Sequence, residues 1–158
     1  MGRRGMVVEV CVSSGKGTPK TPVGRARLVE NQGVEGDAHA GAELRQVSLL
    51  CMSSAEKLRA DGLDVRPGIF AENLTVSGLD AGEFPLGATI RLERGPVLEV
   101  SQIGKGCHTG CAIARLVGRC VMPTEGIFAR VIRGGEVCAG DSLEVNGNED
   151  QGSAAGGQ

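Results

Sequence analysis

The densest reactive stretch of the chain is Lys105-Gly106-Cys107-His108-Thr109-Gly110-Cys111. A cysteine attacks or ligates only as thiolate, and nearby cations or a helix N-terminus stabilise that form. Lys105 and His108 place positive charge beside Cys107. Residues 109–117 carry Ala112, Ile113, Leu116 and Val117 on one stripe, which predicts a short helix with Cys107 near its start. Gly104 and Gly106 leave the sulfur open to approach. Cys107 and His108 are therefore the first catalytic candidates. Structural zinc is the weaker reading of the same stretch. Cys107, His108, Cys111 and Cys120 offer four donors, but such sites draw paired cysteine knuckles from two places. Only Cys107 and Cys111 have that spacing, and adjacent Cys107 and His108 strain to reach one ion. Cys11, Cys51 and Cys138 lie in apolar strand contexts, where cysteine is usually a small core residue.

A second constellation is Gly36-Asp37-Ala38-His39, with Arg45 close by in sequence. His39 could bind an anion, move a proton or satisfy turn carbonyls. Asp37, His39 and Arg45 are expected to line one pocket with Cys107. A third is the basic loop Gly15-Lys16-Gly17-Thr18-Pro19-Lys20. It is not a P-loop, because Val10 stands where the first glycine belongs and Gly17 follows the lysine. Nucleotide hydrolysis is excluded on that ground. The loop can still hold a phosphate through its amides and Lys16 or Lys20.

Positioning these loops requires a scaffold of short strands. Residues 6–12, 23–30, 45–52, 73–77 and 142–145 read as strands from their apolar, β-branched content. Residues 88–94 and 97–103 alternate around Gly95-Pro96, which predicts a hairpin. Residues 127–133, Gly134-Gly135 and 136–138 suggest a second one. Ser53-Ser54-Ala55-Glu56 has the form of a capping box and predicts a helix ending near Gly62. Residues 85–92 and 138–145 both set a glycine before an alternating strand, a weak internal echo. Many strands, glycine corners and two modest helices predict a mainly β fold, a β-barrel with a few short helices. The domain is expected over residues 6–146. Residues 147–158 are small and polar, an unfolded tail by composition.

Composition narrows the function. The chain has 158 residues and a formal charge of −2, with no Trp, no Tyr and three Phe. A basic surface and an aromatic platform for nucleic acid are both missing, so nucleic-acid binding is excluded. The 26 glycines are about twice the usual ~7% share, which fits many tight turns. No apolar run approaches the ~18 residues of a membrane span. Glu9 interrupts what would be a leader's apolar core, so a cytoplasmic location with reduced cysteines is expected.

Several segments in fixed order resemble the MOSC domain, named for the molybdenum cofactor sulfurase C-terminus. They are Gly33-x-x-Gly36-Asp37-x-His39-x-Gly41, Arg45-Gln46-Val47-Ser48-Leu49 and Pro67-Gly68-Ile69-Phe70-Ala71-Glu72-Asn73-Leu74. Ile103-Gly104-Lys105-Gly106-Cys107-His108, Cys111-Ala112-Ile113 and Met122-Pro123-Thr124-Glu125-Gly126-Ile127-Phe128-Ala129-Arg130-Val131 follow. Gly134-Gly135 and Gly140-Asp141 complete the set. The likeness spans roughly residues 6 to 146 and is greatest to the small stand-alone bacterial members. It implies a strand-rich barrel and a cysteine, at position 107 here, used in sulfur or molybdenum-cofactor chemistry.

Two mechanisms follow from that resemblance. In one, Cys107 is a persulfide sulfur carrier between a cysteine desulfurase and a metal–sulfur acceptor. The pyridoxal phosphate would then belong to the partner desulfurase. In the other, Cys107 ligates the molybdenum of a bound pterin cofactor, and the protein reduces N-hydroxylated compounds. Lys16, Arg45, Lys105 and Arg130 would neutralise the cofactor's phosphate. The scarcity of aromatics counts against a pterin stacking surface. A barrel that only binds a partner is the remaining alternative.

Overall fold

The computed structural model describes residues 2–16, 18–104 and 122–147. Lys105, Cys107, His108, Cys111, Cys120, the expected helix over 109–117 and the tail from residue 148 lie outside these.

The described chain runs β1 (Arg3–Val12), β2 (Thr21–Pro22), β3 (Arg25–Val29), β4 (Gly33–Val34), β5 (Val47–Cys51), α1 (Met52–Ala60) and β6 (Leu74–Ser77). It continues through a 3-10 turn (Ala81–Glu83), β7 (Thr89–Leu92), β8 (Val97–Ile103), a helical turn (Met122–Glu125), β9 (Ile127–Arg133), β10 (Gly135–Cys138) and β11 (Ser142–Asn146). Seven strands pair in the order β11-β7-β8-β9-β5-β6-β1, and β11 pairs back onto β1. The sheet thus closes into a barrel and leaves no edge within the ring. β5 and β6 run parallel, joined through α1, while the other ring pairings are antiparallel. The two echoing segments meet as neighbours, with Leu143 opposite Leu92 and Val145 opposite Ile90.

Side-chain alternation fills the interior. Val47, Leu49, Leu98, Val100, Ile127, Ala129, Val131, Leu143 and Val145 all point into one aliphatic core. In β1 the buried Val7 and Val10 are three residues apart, and the register against β6 shifts between Val7 and Glu9. That bulge resets the phase, so both valines reach the core. A second cluster lies on the outer face, where Leu50 of β5 and Phe128 of β9 meet Ala55 and Leu58 of α1, Ile69, Phe70 and Met122. Phe84 joins the barrel core instead.

Two expectations are corrected. Ser53 and Glu56 do not form a capping box: α1 begins two residues earlier, and its N-cap, Cys51, has no side-chain capping bond. Ser54 Oγ donates to Glu125 Oε1 at 2.5 Å, and Glu56 pairs with Arg59. The predicted second hairpin is also absent. β9 already has β8 and β5 on its two edges, so β10 has no edge to pair with there. β10 pairs with β3, from Gly135 opposite Leu28 to Cys138 opposite Arg25. Gly134 permits this close crossing, because a Cβ there would sit 2.6 Å from the Leu28 carbonyl oxygen.

Residues 67–73 bind the outer cluster to β1. Asn73 Nδ2 donates to the Cys11 carbonyl, and Asn73 Oδ1 accepts from Ser48 N and Oγ. The buried Glu72 carboxylate accepts from Gly68 N, Phe70 N and Thr75 Oγ1. Glu72 and Asn73 therefore fix this turn. Gly68 is the tight point, with φ at 87° and a would-be Cβ 2.3 Å from the Lys20 carbonyl oxygen. Gly68→Ala combines a left-handed residue with an overlap against backbone and is expected to cost at least about 2 kcal/mol. Gly82→Ala, which meets open space, should stay within about 0.5 kcal/mol. Urea midpoints of the two variants against the parent chain make the comparison.

Candidate functional site

Asp37 sits at the junction of two glycine loops. After β4, Asp37 N donates to Val34 O at 3.0 Å, a turn that Gly36 completes with φ at 83°. The carboxylate then faces back toward the end of β1. Its Oδ1 accepts from Ser13 N at 3.0 Å and Lys20 Nζ at 2.8 Å, and its Oδ2 accepts from His39 N at 3.1 Å. Ala38 N donates to Ser13 O at 2.8 Å, a backbone tie beside the charged one. The Lys20 and Asp37 side chains are both fully buried.

Lys20 Nζ uses its remaining donors on Ser13 Oγ at 3.4 Å and His39 Nδ1 at 3.3 Å. Its backbone N–H donates to Gly68 O, so the same residue also fastens the 67–73 turn. Burial opposes the Asp37 charge. The His39 ring, the Lys20 ammonium and the amides of Ser13 and His39 outweigh burial and hold the carboxyl well below the usual range. The result is a buried anion fully partnered by protein groups, with a partly open imidazole at its rim.

Of the residues proposed from sequence, Asp37 and His39 are therefore together. Lys16 is exposed on the loop between Ser13 and Lys20. Arg45 is also exposed, at the other end of the loop that carries His39. Its neighbour Leu44 accepts a bond from Ser101 Oγ of β8, which draws that loop across toward the end of the strand. Arg130 stands on β9 opposite Glu99, and its Nη2 donates to Glu99 Oε1 at 2.5 Å. Arg130 Nε is buried without a partner. Val47 pairs with Ala129, so Arg45 lies two residues before that rung in the chain and Arg130 one residue after it.

The segment carrying Cys107 leaves β8 at Gly104 and returns at Met122. Gly104 N donates to Gly126 O at 2.8 Å, and Gly126 N to Met122 O at 3.1 Å, which fastens the two ends side by side. Glu125 accepts from Ser54 Oγ and from Lys57 Nζ at 3.0 Å. These bonds outweigh partial burial and lower its pKa. Cys11 and Cys51 are fully buried, and burial pushes both thiols up to about 12, with nearby carboxylates adding to the shift. Cys138 is half-buried.

Lys20 is the site residue that sequence reasoning undervalued. It reads as one of two lysines in a Gly/Pro loop, a candidate for phosphate, and nothing local marks which one turns inward. The usable signal was the unpaired Asp37 in a second glycine loop, since a buried carboxylate needs a cation.

The MOSC domain family model matches residues 36–144. No curated protein matches the chain significantly. Among solved structures, YuaD from Bacillus subtilis superposes with a TM-score of 0.74 at 20% identity, covering 92% of this chain and 98% of its own. YiiM from Geobacillus stearothermophilus gives 0.73 at 20% identity over 91% of this chain and 76% of its own. YiiM from Escherichia coli gives 0.68 at 23% identity, with 91% and 70% covered. These likenesses establish a shared fold.

Asp37→Asn leaves the Lys20 ammonium buried without its counter-charge and is expected to cost about 3–5 kcal/mol in urea unfolding. The pH dependence has a defined sign. The folded Asp37 pKa is depressed, so its stabilisation is complete above the unfolded value of about 3.9 and is lost as pH falls toward the folded value. The parent's urea midpoint should therefore fall more steeply below about pH 4 than that of Asp37→Asn. Parallel slopes would remove Asp37 as the titrating group.

Proposed function

The chain belongs to the MOSC domain family, and on that premise we propose that it carries sulfane sulfur on Cys107, between a cysteine desulfurase and a metal–sulfur acceptor. The observation that supports this reading is the state of the other thiols. Burial pushes the Cys11 and Cys51 thiols up to about 12, so both stay protonated at neutral pH and, being fully buried, are closed to large partners. That leaves the half-buried Cys138 on β10 and the segment between Gly104 and Met122, and only Cys107 has a lysine and a histidine, Lys105 and His108, beside it in sequence. The Gly104–Gly126 bond holds the two ends of that segment on adjacent strands.

The transfer balances without an external oxidant. The Cys107 thiolate attacks the outer sulfur of the desulfurase persulfide. The S–S bond of the donor breaks, its cysteine leaves as thiolate, and Cys107 holds the persulfide. An electron pair of the acceptor then attacks that outer sulfur, the Cys107 S–S bond breaks, and Cys107 leaves as thiolate. Pyridoxal phosphate serves the desulfurase in releasing sulfur from free cysteine and is not required on this chain.

A second reading, binding of the molybdenum cofactor, has one observation in its favour. Arg130 Nε is a buried donor with no partner, so it would meet a phosphate oxygen of the cofactor, with Arg45 as a further cation. Lys16 and Lys105 would add charge, and Cys107 would be the thiolate donor to the metal. The bound group would supply the redox chemistry needed to reduce N-hydroxylated compounds.

Incubation with a cysteine desulfurase and cysteine should add the mass of one sulfur atom to the Cys107 peptide, reversibly with dithiothreitol. The Cys107→Ser chain should remain unlabelled. Equal labelling of both chains would end the carrier assignment. Molybdenum at one equivalent in purified protein, lost in Arg130→Ala, would establish the second reading in its place.

A further inference from the structure

His39 offers three different chemistries from its position alone: base, cation or neutral donor. Its contacts decide among them. Nδ1 lies 3.3 Å from Lys20 Nζ and 3.5 Å from Asp37 Oδ2. An ammonium has donors and no lone pair, so a close approach to it requires the ring nitrogen to be the acceptor. Lys20 Nζ lies 2.8 Å from the Asp37 carboxylate, which also accepts from Ser13 N and His39 N. Nδ1 therefore carries the lone pair, and in the neutral ring the proton is on Nε2. Nε2 has no partner among the described residues, and the ring keeps 21% of its surface open.

We infer that Lys20 is a positioning residue that fixes His39 as a neutral Nε2–H donor, presented to an anionic oxygen or sulfur acceptor rather than available as a base. The geometry explains why the cation is buried. A surface lysine would not be constrained to one contact with the ring, and a neutral residue at position 20 would leave Asp37 free to attract the Nδ1–H instead. Removing the ammonium should thus turn the ring's tautomer over, because Asp37 Oδ2 is then the only charged neighbour of Nδ1 in this cluster. The inference concerns residues 20, 37 and 39 alone, so it stands or falls separately from the sulfur-carrier reading.

The test uses the full-length protein labelled with ¹⁵N. The chain has two histidines, and His39→Asn identifies the His39 ring in long-range ¹H–¹⁵N spectra at neutral pH. The expected signature is a pyridine-type Nδ1 and a pyrrole-type Nε2, with a cross-hydrogen-bond coupling between Lys20 Nζ and His39 Nδ1. A pyrrole-type Nδ1 in the parent chain, or no such coupling, overturns the inference without recourse to any Lys20 variant. In Lys20→Met the two nitrogen types should exchange. Nε2 then gains a lone pair, and acylation of the His39 peptide by diethylpyrocarbonate should accelerate tenfold or more. A folded Lys20→Met chain with the parent's nitrogen types and acylation rate removes Lys20 from the positioning role.

Discussion

A fully buried ammonium beside a fully buried carboxylate is the constraint around which the loops of this barrel are arranged. Removing two charges from water is expensive, and an aliphatic pair of similar volume could be as stable or more so. Lys20 and Asp37 are therefore better understood as a device for position than as a source of stability. The ammonium has three donors and spends them on Asp37, Ser13 and His39. The carboxylate accepts from Ser13, Lys20 and His39 at defined atoms. Moving any one of these groups leaves a buried charge short of a partner. Two glycine loops with no regular structure of their own acquire a single geometry in this way.

The same residue extends that control outward. The Lys20 amide donates to Gly68 O, and the Gly68 amide donates to Glu72. Glu72 is buried with no cation bonded to it among the described residues, and burial raises its pKa even though two amides and a hydroxyl favour its charge. Ala71, beside it, adopts φ of 66°, a conformation that costs a non-glycine residue about 1 kcal/mol or more. Ser48 Oγ donates to its carbonyl and holds it there. Strain and polar burial concentrate in residues 67–73, between β1 and the outer cluster, and are balanced by Phe70 and Ile69 packing against Phe128 and Leu50.

The strands were legible because burial imposes a period of two that sequence displays directly. Val97–Ile103 appears with the bounds that alternation suggests, and the hairpin around Gly95 is present. Where sequence pattern and structure differ, the deciding partner is distant in sequence. Ser53 and Glu56 have the spacing of a capping box, but the helix starts at Met52 and the adjoining Ser54 bonds Glu125, 71 positions away. Residues 127–138 have the spacing of a hairpin, but both edges of β9 are occupied by strands whose register no local pattern records. Lys20 followed the same rule: its inward turn depends on Asp37, 17 residues on. The pairing of Asp37 with His39 was legible because Asp37 accepts from an amide two residues away.

The closed, filled barrel also limits where chemistry can occur. Its interior is lined by Val, Leu, Ile and Ala side chains that meet across the axis, and small barrels of this kind are solid cores rather than ligand cavities. Cys51 belongs to that core, and Cys11 is equally inaccessible. Any reaction must therefore be staged on the connecting loops, where glycine frees the backbone and polar groups can reach solvent. The 13–20 and 35–46 loops are locked by the Lys20–Asp37 pair. The segment between β8 and β9 is tied at its ends by Gly104 and Gly126. The scaffold thus restricts backbone freedom around each loop while supplying no reactive group of its own, and specificity falls to the side chains those loops present.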